Sequence, residues 1–204
     1  GRLLRAGKVN AVGVATAEPL SYFFEDEFAR VLMAGMSEAC DAAGAGLALV
    51  SAKNDERLAW NIQSALVDGF VLLCIEGGER LVELTRERQL PFVALALGRP
   101  DESVSAVGVD DYAGGRMAAE HIGGLGHRRI GVLALEFDDQ HEGPASLAAI
   151  EAATYSTSRD RANGYFDAFE KLGVRRDTIP IYETRSTRDS VYRGLEHMFA
   201  ANER

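Results

Sequence analysis

Two periodicities alternate along the chain. Short apolar runs at Asn10–Thr16, Leu47–Ser51, Phe70–Cys74, Phe92–Leu97, Val104–Val109, Ile130–Leu133 and Ile179–Tyr182 read as buried strands. Between them, apolar residues return every three or four positions, as one face of a helix requires. The first such stretch carries Phe24, Phe28, Val31, Leu32, Met36, Ala39, Cys40 and Ala43. Ser21 is its candidate N-cap, Glu25, Asp26 and Glu27 fill its first turn, and Gly44 and Gly46 stop it. Asn54 heads a second helix with Leu58, Ile62, Ala65 and Leu66 on one face, ended by Gly69, and Leu81 and Leu84 mark a shorter third. Met117, Ala118, His121, Ile122 and Leu125 predict a fourth, closed by a left-handed Gly126. Arg161, Tyr165, Ala168, Phe169 and Leu172 predict a fifth, stopped at Gly173. The last has Val191, Leu195, Met198 and Phe199 inward, with Ser186 and Asp189 as a weak capping box.

Strands that alternate with helices and are apolar on both faces imply an α/β fold built on doubly wound parallel sheets. Ligands of such sheets bind beyond the C-terminal strand ends. The polar residues that follow the strands are therefore of interest: Glu18, Lys53, Glu76, Arg99, Asp110 and Glu136. The stretch from Val104 to Leu135 organises the rest. Its strand meets Asp110 and Asp111 where a helix must begin, and an aspartate there accepts the free amide hydrogens of the first turn. The chain is expected to pass from one lobe to a second between Asp110 and Gly114. Residues 136–158 exceed an ordinary loop and read as a lid or a partly disordered segment, with a short helix possible at Leu147–Ala153.

The net charge of −9 makes a poor grip for phosphate backbones, and the only local basic bias is Arg2, Arg5 and Lys8. No apolar run approaches the ~20 residues that span a bilayer. The first residues lack a secretory signal, so a cytoplasmic location without membrane association is expected. Cys40 and Cys74 sit in apolar contexts with no metal-type spacing. No phosphate loop and no nucleophile elbow is present, and Gly44-Ala45-Gly46 follows a helix and reads as its stop. The four histidines lie singly; His121 reads as a core residue and His127 as a cap of helix carbonyls. Asp110 with Asp111 suits acid/base work or a metal, but a helix cap plus a ligand acceptor is the better reading. Nothing calls for an enzyme, a cofactor or a metal.

The segment AVGVDDYAGGRMAAEHIGGLGHRRIGVLAL resembles the middle of the lac-repressor-type (LacI/GalR) transcription factors. There a strand ending Val/Ile-Asp-Asn leads into a helix closing Glu-His-Leu…Leu-Gly-His-Arg-Arg-Ile. Here those residues are Val109-Asp110-Asp111, Glu120-His121-Ile122 and Leu125 to Ile130. The stretches NAVGVAT and SYFFEDEFARVLMAGMSEACDAAG, then VDGFVLL, then Arg161-Ala162-Asn163-Gly164-Tyr165, resemble further family segments in the same order. The likeness covers nearly the whole chain. It implies a type I periplasmic-binding-protein-like core of two doubly wound lobes, which binds a small, often sugar-like effector in its cleft and forms a homodimer. Operator DNA would be bound by a helix-turn-helix that lies outside this chain. GRLLRAGK resembles only the end of the family's hinge. On that likeness residues 1–8 end a linker, 9–111 form the first lobe, and 112–204 form a second, incomplete lobe that stops before further strands.

Carried over by position, the resemblance marks Phe24, of the aromatic pair Phe23 and Phe24, as a stacking face and Asp110 as an acceptor of ligand hydroxyls; Phe23, and Glu76 and Glu136 as residues that follow strands, join them as candidate effector contacts. Thr157 and Arg161 would reach the effector from the second lobe. Arg161 has an alternative, a salt bridge to Asp110 or Glu136. Arg99 follows the fourth strand, where the family often has Asp-Arg and Gly98 here replaces the acid. The expected protein is the effector-binding core of a bacterial transcriptional repressor. A periplasmic-type solute-binding protein is the alternative.

Overall fold

A computed structural model describes residues 8–51, 54–73, 78–97, 101–138 and 141–202. Alternation along the strands decides the first sheet. In β1 (Ala11–Thr16), Val14 and Ala15 are both fully buried but join different clusters, as side chains on opposite faces of a strand must. β2 (Gly46–Ser51) and β3 (Gly69–Leu73) flank β1, and β4 (Phe92–Leu95) and β5 (Ala106–Val107) extend it. The result is a parallel five-stranded sheet of order β2-β1-β3-β4-β5.

Helices cover both faces of this sheet. On one, Leu58 and Ile62 of α3 (Asp55–Ser64) and Leu81, Val82 and Leu84 of α4 (Gly78–Arg88) pack with Ala15, Val50 and Leu72. Asn54 caps α3 as expected, its Oδ1 accepting from the Arg57 N–H at 3.1 Å. On the other face, Phe23 of α1 (Tyr22–Glu25) and Leu32, Met33 and Met36 of α2 (Glu27–Ala43) pack with Val14 and Leu73. The sequence pattern predicts one helix here, and the structure has two. Asp26 turns extended and becomes the N-cap of α2, accepting from the Ala29 N–H at 2.8 Å. Its short carboxylate competes for the backbone donors that a continuous helix would need. The inward face is consequently Ala29, Leu32, Met33 and Met36, and Phe28 and Val31 are 54% and 70% exposed. Gly44 stops α2 at φ +67°, as expected.

The second sheet has its own core. β6 (Val132–Ala134) pairs in parallel with β8 (Ile181–Glu183), which pairs antiparallel with β7 (Gly143–Ala145), giving the order β6-β8-β7. β7 lies within the segment expected to be a lid or disordered. The segment's described residues include β7 and α6 (Leu147–Glu151), the short helix expected there, whose cap Ser146 accepts from Ala149 N–H at 3.2 Å. β7 is Gly-Pro-Ala and has no strand signal of its own. α7 (Ser156–Lys171) covers one face with Phe166 and Phe169, and α8 (Arg188–Asn202) lays Gly194 against Leu133 and Tyr182. Ser190 N–H meets Thr187 Oγ1 at 3.4 Å, so Thr187 takes the capping place expected of Ser186, and Phe199, expected inward, is 68% exposed.

The largest departure concerns α5 (Asp111–Gly124). The sequence pattern predicts an apolar stripe of Met117, Ala118, His121, Ile122 and Leu125. The buried residues are instead Gly115, Ala119 and Gly123, while Met117 and Leu125 are 64% and 66% exposed. Small residues four apart make a groove into which α7 sinks until the backbones touch. A Cβ on Gly115 would stand 2.4 Å from the Arg161 carbonyl oxygen, and one on Gly164 would stand 2.2 Å from that of Tyr112. His121 is therefore exposed, and the last turn is capped by Arg128, whose Nη1 donates to Gly123 O at 2.8 Å, rather than by His127. Gly126 supplies the left-handed stop at φ +90°.

The chain divides into two compact units between Gly108 and Val109, just ahead of the boundary expected at 111. Gly164→Ala should lower the unfolding free energy by about 2 kcal/mol or more in urea denaturation followed by circular dichroism, because neither touching backbone can yield. Gly124→Ala, on the same α5 but facing open space, should be neutral or slightly stabilising.

Candidate functional site

The turn into α5 uses its two acids differently. Asp110 is the N-cap, its Oδ1 accepting from the Ala113 N–H at 2.8 Å. Asp111 lies in the first turn with its side chain only 14% exposed, and its Oδ1 accepts from Arg161 Nε at 2.7 Å. The salt bridge weighed for Arg161 is real, but its partner is Asp111 rather than Asp110 or Glu136. The pair holds the guanidinium by one edge. Thr157 and Arg161 lie four apart on α7 and so share a face. That helix begins at Tyr155 without a side-chain cap and without an acid in its first turn. Arg161 also lines a cavity of about 90 Å³ with Leu133, Leu135, Ser158 and Tyr165, room for a few waters rather than a sugar ring.

The end of the second sheet is acidic and tightly bonded. Glu183 is fully buried at the end of β8. Its Oε1 accepts from the Phe137 N–H at 2.7 Å and the Asp138 N–H at 3.3 Å, and its Oε2 lies 2.7 Å from His141 Nδ1. Glu136 accepts from the Ser186 N–H at 3.1 Å. Glu142 is held below the usual carboxylate range by the Arg193 guanidinium, with the Ser190 hydroxyl adding to it. Structurally, these bonds fasten residues 136–138 and 141–142 to β8, α8 and the turn between them.

In the first unit, the expected aromatic pair separates. Phe23 is 2% exposed and packs with Val14 and Leu73, so it is a core residue and leaves the candidate set. Phe24 is 62% exposed. Glu76 and Arg99 lie outside the described residues. Burial pushes the neighbouring Tyr22 phenol well above its ordinary range, and Asp26 and Glu18 add to the shift. Among the described residues no group of three or more His, Cys, Asp or Glu is placed to hold a metal ion, and no helix is long and apolar enough to cross a membrane.

Residues 10–202 match the family described as periplasmic binding proteins and sugar binding domain of LacI family. The chain belongs to this family. It is 34% identical over 187 residues to the HTH-type transcriptional regulator Rv3575c of Mycobacterium tuberculosis, covering 90% of this chain and 52% of that protein. The chain thus spans about half the length of the curated relatives it matches. Among solved structures, a LacI-family transcriptional regulator from Corynebacterium glutamicum superposes with a TM-score of 0.79 at 25% identity, covering 98% of this chain and 61% of that one. The transcriptional regulator CelR–cellobiose complex gives 0.69 at 25% identity, covering 92% and 56%.

Within this LacI-type core, the sequence pattern does not single out Glu183. The rule of inspecting the polar residue at each strand's end, applied to the last strand, marks it. Glu183→Ala would orphan the Phe137 and Asp138 amides in a buried place. It should cost about 3 kcal/mol in urea unfolding, with a smaller loss for Glu183→Gln, which keeps an acceptor.

Proposed function

We propose that this chain is the effector-binding core of a bacterial transcriptional regulator, and that it senses a small hydroxylated metabolite, sugar or sugar-like. The observation that carries the reading is the Arg161–Asp111 bond at 2.7 Å, which aims a pre-set guanidinium from the face of α7 that also carries Thr157. Membership of a family with sugar-binding members and the likeness to a regulator–cellobiose complex support it. In this reading Asp110 and Glu136 accept from ligand hydroxyls, Thr157 and Arg161 donate, and exposed Phe24 offers a stacking face, with Glu76 and Arg99 as further contacts. The effector works by population shift: it binds one conformation of the regulator better and so changes how operator DNA is held by the helix-turn-helix after which the relatives are named. The protein acts in the cytoplasm, without catalysis. Two copies pair through Phe28 and Val31, one turn apart on α2 and both exposed. A solute-binding role is the second reading, because the family's description covers periplasmic binding proteins as well.

A sugar that binds should stabilise the protein by about 2.7 kcal/mol at one hundred times its dissociation constant, read as a rise in melting temperature across a sugar and nucleobase panel. Arg161→Ala should remove that rise. Equal stabilisation of the variant, or none of either protein by any compound, overturns the assignment. Val31→Asp should turn a dimer into a monomer in sedimentation analysis; a wild-type monomer would dismiss the pairing face.

A further inference from the structure

The charges gathered at the start of α5 and α7 select the chemical class of the effector. Arg161 is the cation that a phosphate or carboxylate would seek, since a guanidinium recognises either with two parallel bonds. One edge of it is already engaged: Nε donates to Asp111, an acid that is itself largely buried at 14% exposure. Its charge is thereby neutralised within the protein. Asp110, next in the chain, adds a second negative charge. The N-termini of α5 and α7 each contribute about half a positive charge, and together they only offset Asp110.

The other charges near the ends of the second sheet leave no surplus either. Glu136 follows β6, beside Leu135 of the cavity that Arg161 lines, and Glu183 is buried at the end of β8. Arg193 is bound to Glu142 at 3.0 Å and Arg159 to Asp160 at 2.9 Å. The Asp138 carbonyl that accepts from Arg185 at 3.2 Å does not cancel its charge, but Glu136 and Glu183 outnumber it. Among these groups of the second unit the acids outnumber the cations, so they give an anionic ligand arriving at Arg161 no net attraction. The remaining Arg161 N–H groups, the Thr157 hydroxyl and the uncapped first turn of α7 are donors, while Asp110 and Glu136 are acceptors. That alternation suits hydroxyl groups, each of which both donates and accepts.

We propose that the effector is an uncharged polyhydroxyl compound, and that Asp111 excludes its phosphorylated and carboxylated counterparts by neutralising Arg161. This inference rests on the sensor reading above and narrows it. Asp111 is a positioning and charge-setting residue.

The test pairs neutral sugars with their anions on the full chain: glucose, galactose, ribose and cellobiose against glucose 6-phosphate, galactose 6-phosphate, ribose 5-phosphate and glucuronate, by titration calorimetry. A neutral compound should bind at least tenfold tighter than its anion. Asp111→Asn, which keeps an acceptor for Nε but removes the charge, should narrow that gap by about tenfold or more. A ligand-independent arm follows the Arg161 Nε–H resonance by NMR with inorganic phosphate. It should stay in place in the wild type and move in Asp111→Asn. Binding of an anion as tightly as its neutral parent, or a phosphate-induced shift in the wild type, overturns the charge inference and leaves the sensor reading standing. Silence from every sugar, neutral and anionic alike, overturns the sensor reading and the inference with it. The wild-type comparison and the phosphate titration remain decisive even if the variant folds poorly.

Discussion

The second unit depends on the contact between two helices that touch through their backbones. Where α5 and α7 cross, Gly115 lies under the Arg161 carbonyl and Gly164 under that of Tyr112. No side chain cushions the crossing, so it has almost no freedom to slide. That rigidity sets the origin of the Arg161 side chain relative to the first turn of α5, and the 2.7 Å bond to Asp111 completes its placement. Tyr112 reinforces the crossing from the outside: its hydroxyl donates to Asp167 at 2.7 Å, and that bond holds the phenol above its ordinary pKa. Asp167 also accepts from Arg176, whose guanidinium lies 5.5 Å above the Phe166 ring. The Arg161–Asp111 pair is thus mounted on steric contact rather than on a flexible loop, so its geometry is fixed before any ligand arrives.

Much of this was legible in the chain because the fold uses strong, local signals. Apolar runs bounded by turns marked the parallel strands, Asn54 and Asp110 marked helix starts, and Gly44 and Gly126 marked helix ends. The segment from Val109 to Ile130, with its Leu-Gly-His-Arg-Arg-Ile block, carried the family. What failed did so for a common reason. Periodicity reports where apolar residues lie, not which face a neighbour prefers. On α5 the bulky stripe at Met117 and Leu125 looked like the buried one, yet the glycine and alanine stripe won because it alone admits a second backbone. On α2 the Phe28 and Val31 positions fit a helical face, but the break at Asp26 rotated that face outward.

The candidate site was legible in parts. Arg161 and Asp110 stood out by position, and each has a defined partner in the structure. Asp111 reads as part of a cap because sequence does not tell which of two adjacent acids caps and which reaches another helix. Phe23 and Phe24 are indistinguishable by type, and only the fold sends one inward. Glu183 is hard to read as a hub because two of its three partners, the Phe137 and Asp138 amides, are groups that every residue carries.

β7 has one more implication. It is an outer strand of the second sheet, and its middle residue is Pro144, paired opposite Tyr182. A proline has no amide hydrogen to offer a newcomer, so that border is chemically blunted. The two margins of the sheet therefore differ: β7 offers no amide hydrogen at its middle residue, while β6 carries no proline and lines the small cavity beside Arg161.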